Sequence, residues 1–386
     1  AMLKHTASSA LHPDTFSPEF DCVVFYDGDV WHACIDVGGS GDLSSQPLLE
    51  DYSLCHRFAS FGGATCLSFS VNIYDDGKLL SICVPASSHG THVASIAAGH
   101  FPDEPARDGQ APGAQILSLK IADTRMQTFE SALAVHRALS LAAARGCHVI
   151  NMSYGEDSVI RGGALQEAMA RCVTEHNVCV VTSAGNRGPA LGTVTAPGGA
   201  SSHAVGVAAM LSETMKKSLF SMLPGNLHDD NNDEKDNNDG SAFFVPFTFS
   251  SRGPTLDGDN GVVLSAPGSA LASVASHQLS PVVLKSGTSM AAPSVAGALA
   301  CVRSGVSLDR HVSVAALVRA ATNTAAHVAD KDDDGAAALM RGSGLVDAQR
   351  AHAWLRDHVD DPFAVRTIHI YSLLLLLTMR SMCVST

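Results

Sequence analysis

Short apolar runs alternate with helical segments between residues 114 and 210, and this alternation restricts the chain to few folds. Apolar runs too short for buried helices predict strands at 114–121, 147–155, 178–186 and 203–210. Apolar residues at helical spacing predict helices at 129–146 and 163–177, the first of them with a glutamate in its first turn. Strands and helices that alternate through short connections are typical of an α/β fold with a doubly wound, mostly parallel sheet. Active sites of such sheets lie beyond the carboxyl ends of the strands.

Three regions depart from this pattern. Residues 1–80 hold shorter strand-like segments, and we expect a β-rich N-terminal extension there. The segment 228–240 is polar, acidic and low in complexity, which predicts a solvated loop inserted into the domain. A calcium site in this loop is the alternative, although its spacing fits no EF-hand loop. Residues 368–379 are apolar but shorter than the roughly 20 residues that span a bilayer, so we expect a docked segment or an aberrant tail.

The composition excludes several classes of partner. The 386 residues are 46% hydrophobic, which is a globular composition, and their formal net charge of -13 argues against nucleic acid and anionic membranes as partners. The ten cysteines include no C-x-x-C pair, and several lie in apolar runs. Buried free thiols in a reducing compartment are the simplest interpretation. The N-terminal residues have no apolar core of the kind that a signal peptide needs.

The segment "LKSGTSMAAPSVAG" (284–297) places Ser289 where a helix is expected to begin. The small residues that follow allow tight packing, and Pro293 is expected in the first helical turn, where proline is tolerated. Free amide groups and the helix dipole favour negative charge at such a terminus, and a tetrahedral oxyanion is negatively charged. Ser289 is therefore a candidate nucleophile, and an N-cap serine is the alternative.

A serine nucleophile needs a base, and two further segments supply candidate partners for Ser289. His89 precedes a predicted helix rich in small residues and is the candidate base. A metal pair with His92 is the alternative, but no third ligand is evident, and we expect His92 to be packed inside the protein. Asn186 follows a predicted buried strand, from which its side-chain NH₂ can reach an oxyanion. A turn residue in the left-handed conformation is the alternative for Asn186.

The motifs "HGTHVA", "AGN" and "GTSMAAP" follow one another in the chain, and together they resemble the subtilisin-like serine proteases, or subtilases. The resemblance implies a subtilisin-like peptidase domain at 85–360 that needs no metal or cofactor. It implies that His89 is the general base, Asn186 the oxyanion donor and Ser289 the nucleophile. It also implies that the backbone of "NMSYG" pairs with the substrate as an added strand, through Ser153, Tyr154 and Gly155.

Two N-terminal stretches, "DCVVFYDGDVWHACID" and "SVNIYDDGKLLSI", resemble the tripeptidyl-peptidase II group of subtilases. This resemblance implies that residues 1–84 belong to a group-specific insertion, and it ends before an atypical apolar tail at 361–386. It implies a cytoplasmic enzyme that releases tripeptides from peptides with a free N-terminus. Glu130 and Glu156 would bind the substrate's amino group in charge-assisted hydrogen bonds. The group forms homo-oligomers, and we expect this chain to lack the assembly region.

The acid of a Ser-His-Asp triad is the member that the motifs do not supply. Subtilases carry it in an Asp-Thr-Gly or Asp-Ser-Gly tripeptide before the histidine, and neither tripeptide precedes His89. Asp27 imitates it, but the resemblance places Asp27 in the insertion, so we expect another role for it. We therefore expect an N-terminally incomplete chain with impaired activity. A general subtilisin-type endopeptidase and a non-catalytic peptide-binding remnant are the alternatives; the two glutamates disfavour the first, and the missing aspartate favours the second.

Overall fold

The strands predicted between residues 147 and 210 are three of the five strands of the central sheet in the structure, a computed structural model. It describes residues 20–359 except for 62–66, 86, 124–128, 156–162, 196, 221–243, 276, 279, 307–310 and 327–336. The chain divides into two units, which are unit 1 (Ala1–His92, Ile121–Ser131 and Ser273–Val283) and unit 2 (Val93–Lys120, Ala132–Ala272 and Leu284–Thr386). The predicted acidic loop at 228–240 and the predicted tail at 361–386 lie outside the described residues.

The elements are numbered along the chain. The strands are β1 (Cys22–Tyr26), β2 (Trp31–Ile35), β3 (Leu48–Glu50), β4 (Ala59–Ser60), β5 (Ser68–Tyr74), β6 (Leu79–Cys83), β7 (Ala122–Asp123), β8 (Phe129–Glu130), β9 (Val149–Met152), β10 (Cys179–Ser183), β11 (Ala204–Ser212), β12 (Phe244–Pro246), β13 (Leu264–Pro267), β14 (Ser269–Ser273) and β15 (Val282–Ser286). The helices are α1 (Tyr52–Cys55), α2 (His89–Ala98), α3 (Ala132–Ala144), α4 (Ala164–Thr174), α5 (Glu213–Phe220), α6 (Thr288–Ser304), α7 (Val314–Thr324), α8 (Ala337–Arg341) and α9 (Ala348–His358).

Unit 1 is built mainly from antiparallel strands, which confirms the predicted β-rich extension. Strands β1, β2 and β3 form one sheet in that order, and β4, β5 and β6 form another. Residues two apart on β5, Phe69 and Val71, are buried, as expected of a strand with one face in a core. Residues of the first sheet pack with them to complete that core, namely Ala33, Ile35 and Leu49.

Unit 2 contains the predicted parallel sheet. Strands β9, β10, β11 and β13 lie side by side in parallel, and β12 pairs antiparallel with the end of β11. Every residue of β10 is buried, which explains why its sequence is a nearly continuous apolar run. The helices predicted at 129–146 and 163–177 are α3 and α4. The doubly wound α/β prediction is therefore confirmed.

Helix α6 packs across the sheet through small residues. It contacts β9, β10, β11 and β13, and its buried side chains include Ala291, Ala292, Val295 and Leu299. Alanine side chains let a helix approach a sheet closely, so this one element joins four strands into a common core.

Three local predictions were wrong. The run 114–121 is not a strand: residues 114–120 lie outside helices and strands, and Ile116 is 53% exposed, because no described strand pairs with the run. Glu130 lies in β8 rather than in the first turn of α3, since its backbone pairs with Ala122 of β7. Pro293 is the sixth residue of α6, beyond the first turn, because the helix already begins at Thr288.

The described cysteines are free thiols, and Cys34, Cys172 and Cys179 are buried, as their apolar surroundings predict. Burial raises the pKa of the Cys179 thiol to about 12, so it stays protonated at neutral pH. None of the described helices is long and apolar enough to cross a membrane.

We expect Leu299→Ala to lower the free energy of unfolding by about 2–5 kcal/mol, because Leu299 is 0% exposed and its loss leaves a cavity under α6. Leu133→Ala on α3 is the matched control: Leu133 is 66% exposed, so its loss should change stability by about 0.5 kcal/mol or less. Urea unfolding followed by circular dichroism measures both. Equal losses would contradict the packing of α6 described above.

Candidate active site

Ser289 occupies the second position of α6 and is half-buried. Its neighbours on both sides are buried: Thr288 is 0% exposed, and Met290 packs in a cluster with Ile96 and Ala272. These buried neighbours hold the first turn of α6 in place and leave Ser289 as its partly accessible residue. The helix has 17 residues, so the positive end of a long helix dipole lies at the serine.

Asn186 follows β10 and is fixed by the residue before Ser289. The backbone N–H and the hydroxyl of Thr288 both donate to Oδ1 of Asn186, each at 2.9 Å. An N–H group only donates, so the atom that it meets must be the amide oxygen. The NH₂ end of Asn186 is therefore left to donate elsewhere, as an oxyanion donor requires.

Backbone conformation and crowding explain why the residue before Asn186 is a glycine, Gly185. Its φ is +113°, and a Cβ here would lie 2.6 Å from Oγ1 of Thr195 and 2.7 Å from Oγ of Ser251. The N–H of Gly185 also donates to the hydroxyl of Thr288 at 3.3 Å. A side chain at this position would therefore collide with Thr195 and Ser251 and displace the backbone next to Asn186.

Ser153 comes directly after β9, and its side chain reaches the backbone of Ser289. Its hydroxyl donates to the carbonyl oxygen of Ser289 at 2.9 Å, and Nδ2 of Asn151 donates to the Ser153 hydroxyl at 3.1 Å. The sequence predicts only a backbone role for Ser153, so this side-chain contact was missed. Pro293 was the available signal, because a proline four residues after Ser289 cannot donate to the Ser289 carbonyl.

The predicted substrate strand continues from Ser153 through Tyr154, which is half-buried, to Gly155, which is exposed. Glu156 lies outside the described residues. Glu130 is half-buried in β8 of unit 1, where its backbone pairs with Ala122. The roles of both glutamates stay predictions from the sequence.

His89 is the first residue of α2 and is half-buried. It belongs to unit 1, whereas Ser289 belongs to unit 2, and the pairing of base and nucleophile stays a prediction. His92, one turn later, is 0% exposed, and its Nε2 donates to the carbonyl of Val283 at 2.9 Å. His92 is therefore packed as expected. The described residues contain no group of three potential ligands that suits a metal ion.

The side chain of Asp27 is used within its own hairpin. Oδ1 accepts the N–H groups of Asp29 and Val30 at 2.8 and 2.9 Å, and Oδ2 accepts Nε2 of His32 at 2.9 Å. Hydrogen bonds from the backbone N–H groups of Val30 and Asp29 hold the pKa of Asp27 well below its ordinary value. The hydrogen bond from the His32 side chain lowers this pKa further. The expectation that Asp27 does not orient His89 stays a prediction.

Comparisons with known proteins connect this site to a family. A sequence model of the subtilase family matches residues 59–344. Tripeptidyl-peptidase 2 of Arabidopsis thaliana is 38% identical over 353 residues, which cover 89% of this chain and 24% of the relative. Tripeptidyl-peptidase 2 of Oryza sativa subsp. japonica is 37% identical over 376 residues, which cover 95% of this chain and 26% of the relative.

A crystal structure of tripeptidyl peptidase 2 resembles this fold with a TM-score of 0.66 and 31% identity. The similarity covers 89% of this chain and 25% of that chain. The chain therefore spans about a quarter of the length of the relatives that it matches.

We expect Gly185→Ala to destabilise the protein more than Gly192→Ala. Both glycines have a positive φ, but a Cβ at Gly192 would come no closer than 3.8 Å to the carbonyl oxygen of Pro254. The difference combines the steric conflict at Gly185 with the greater backbone strain of a side chain at φ +113° than at +69°, and it should amount to about 1–3 kcal/mol. Thermal unfolding of the two variants measures it, and equal destabilisation would show that the Asn186 turn tolerates a side chain.

Proposed function

The chain belongs to the subtilase family of serine peptidases, and we propose on this premise that it cleaves peptide bonds with Ser289 as nucleophile, His89 as general base and Asn186 as oxyanion donor. The observation that carries the proposal is the fixed amide of Asn186. Both hydrogen bonds from Thr288 end on its oxygen, so its NH₂ group is preorganised for a negatively charged acceptor.

The chemistry follows from these roles. The hydroxyl oxygen of Ser289 attacks the scissile carbonyl carbon while His89 takes the hydroxyl proton. The resulting oxyanion receives hydrogen bonds from Asn186 and is stabilised by the positive end of α6. When the carbon–nitrogen bond breaks, His89 returns the proton to the leaving amine, and an acyl-enzyme forms on Ser289. Water, activated by His89, then hydrolyses this ester and regenerates the serine.

We propose that the substrate is a peptide with a free N-terminus and that the enzyme releases tripeptides. Support comes from the similarity to tripeptidyl-peptidase 2 of two plants. The peptide would extend the sheet along Ser153, Tyr154 and Gly155, because added strands bind through their backbone. Glu130 and Glu156 would hold the α-ammonium group and fix the distance from the N-terminus to the cut. A cytoplasmic location belongs to the same proposal.

A peptide-binding role with little or no catalysis is the second candidate. It is favoured by the local partners of Asp27, which engage that carboxylate within its own hairpin. If no acid orients His89, its imidazole can adopt the wrong tautomer. In subtilisin, loss of the aspartate alone lowers kcat by about 3 × 10⁴. A turnover rate that is lower by a similar factor would favour the peptide-binding role.

We expect Asn186→Ala to lower kcat by about 10²–10³ while leaving KM nearly unchanged, because the amide acts on the transition state. The rate at which a fluorophosphonate labels Ser289, followed by mass spectrometry, gives a second readout when turnover is slow. Ser289→Ala is the control that should abolish labelling. An unchanged kcat and labelling rate in Asn186→Ala would refute the oxyanion role.

We expect Glu156→Gln to weaken cleavage of substrates with a free N-terminus, because the charged partner of the α-ammonium is lost. Cleavage of the same peptides after N-acetylation should change much less. Glu130→Gln should act in the same direction, and Glu167→Gln, at an exposed position of α4, is the control. The measurement is kcat/KM for both substrate forms. Equal losses on both forms would show that the glutamates have only a structural role.

A further inference from the structure

The carbonyl of Ser289 lacks its ordinary helical partner. In an α-helix each carbonyl accepts from the N–H group four residues later, and for Ser289 that residue is Pro293. Proline has no N–H group, so the Ser289 carbonyl has no i+4 donor within α6. The acceptor on the nucleophile's own backbone is thereby open to a group from outside the helix.

The hydroxyl of Ser153 takes that acceptor at 2.9 Å. A serine hydroxyl has one proton, and Ser153 uses it on this carbonyl, so any further neutral partner must donate to its oxygen. Asn151 does so through Nδ2 at 3.1 Å. Oδ1 of Asn151 is buried without a hydrogen-bond partner in the described part of the chain, so the amide is held in this orientation despite the cost of an unpaired oxygen.

We propose that Ser153 is a positioning residue that sets the distance between the substrate-binding strand and the nucleophile. The carbonyl that it binds belongs to Ser289 itself, next to the Cα that carries the reacting side chain. The same residue begins the stretch proposed to pair with the peptide backbone. One hydrogen bond therefore links the part that holds the substrate to the part that attacks it. Misplacement of reacting groups by about 1 Å can cost about 10² in rate. The inference rests on the proposed function in two respects: Ser289 must be the nucleophile, and the stretch that begins at Ser153 must bind the substrate.

A double-mutant cycle between Ser153 and Pro293 tests this link. Ser153→Ala removes the external donor, and we expect a decrease in kcat of about tenfold with KM changed less than about twofold. Ser153→Thr keeps a hydroxyl and should retain most of the activity. Pro293→Ala returns a backbone N–H that can donate to the Ser289 carbonyl. In that background, Ser153→Ala should therefore lower kcat by no more than about twofold.

Ser140→Ala is the matched control for loss of a serine hydroxyl. Ser140 lies exposed on α3 and donates to the carbonyl of His136 in its own helix, so its removal should leave kcat unchanged. Thermal unfolding of the wild type, the variants Ser153→Ala and Pro293→Ala, and the double variant gives a second readout that does not depend on enzymatic activity. Ser153→Ala should lower the midpoint by about 2 °C alone and by clearly less in the Pro293→Ala background.

The outcomes separate the two proposals. Coupling between positions 153 and 293 in both kcat and the unfolding midpoint supports the positioning role. Additive effects in an active chain overturn it, and so does coupling in the midpoint without any change in kcat, because the hydroxyl would then be only structural. A wild-type chain that neither cleaves peptides nor reacts with a fluorophosphonate overturns the proposed function, and the positioning role falls with it even if the midpoints are coupled.

Discussion

The close approach of α6 to the parallel sheet is the constraint on which the site depends. Small side chains on the helix, such as Ala291 and Ala292, are fully buried against the strands. Since β9 and β10 run parallel, the residues after both strands come to the same edge of the sheet. The first turn of α6 receives a hydrogen bond from Ser153 and donates two to Asn186 there. Packing of apolar surface thus brings polar groups together that are far apart in sequence.

The sheet was predictable because its strands are buried. Strands β10 and β11 are buried almost throughout, and such strands tend to be nearly continuous apolar runs. The run 114–121 has the same signature, yet residues 114–120 form no strand. An apolar run indicates that a segment favours burial. A strand also needs a neighbouring strand to pair with, and the sequence of the run does not identify that neighbour.

The site was predictable in its residue types and not in its contacts. Motifs identify Ser289 and Asn186 as candidates, but which atom of Asn186 is used depends on Thr288, 102 positions away. The prediction that Pro293 lies in the first turn was wrong because the rule that excludes proline from helix interiors takes no account of hydrogen-bond donors outside the helix. Here a hydroxyl from β9's end satisfies the carbonyl that the proline leaves without a donor. Asp27 is the opposite case. Its sequence context imitates that of a triad aspartate, but its carboxylate accepts hydrogen bonds from the backbone of the turn that follows it.

Helix α6 carries the candidate nucleophile at one end and the core residue Leu299 ten positions later, about 15 Å along its axis. The helix is continuous between them, so a repacked core can shift the serine against its hydrogen-bonding partners. Robustness to mutation and reactivity are therefore not independent properties in this chain. Selection for a higher catalytic rate and selection for a higher stability would act on the same buried surface. Improvement of either property would therefore constrain improvement of the other.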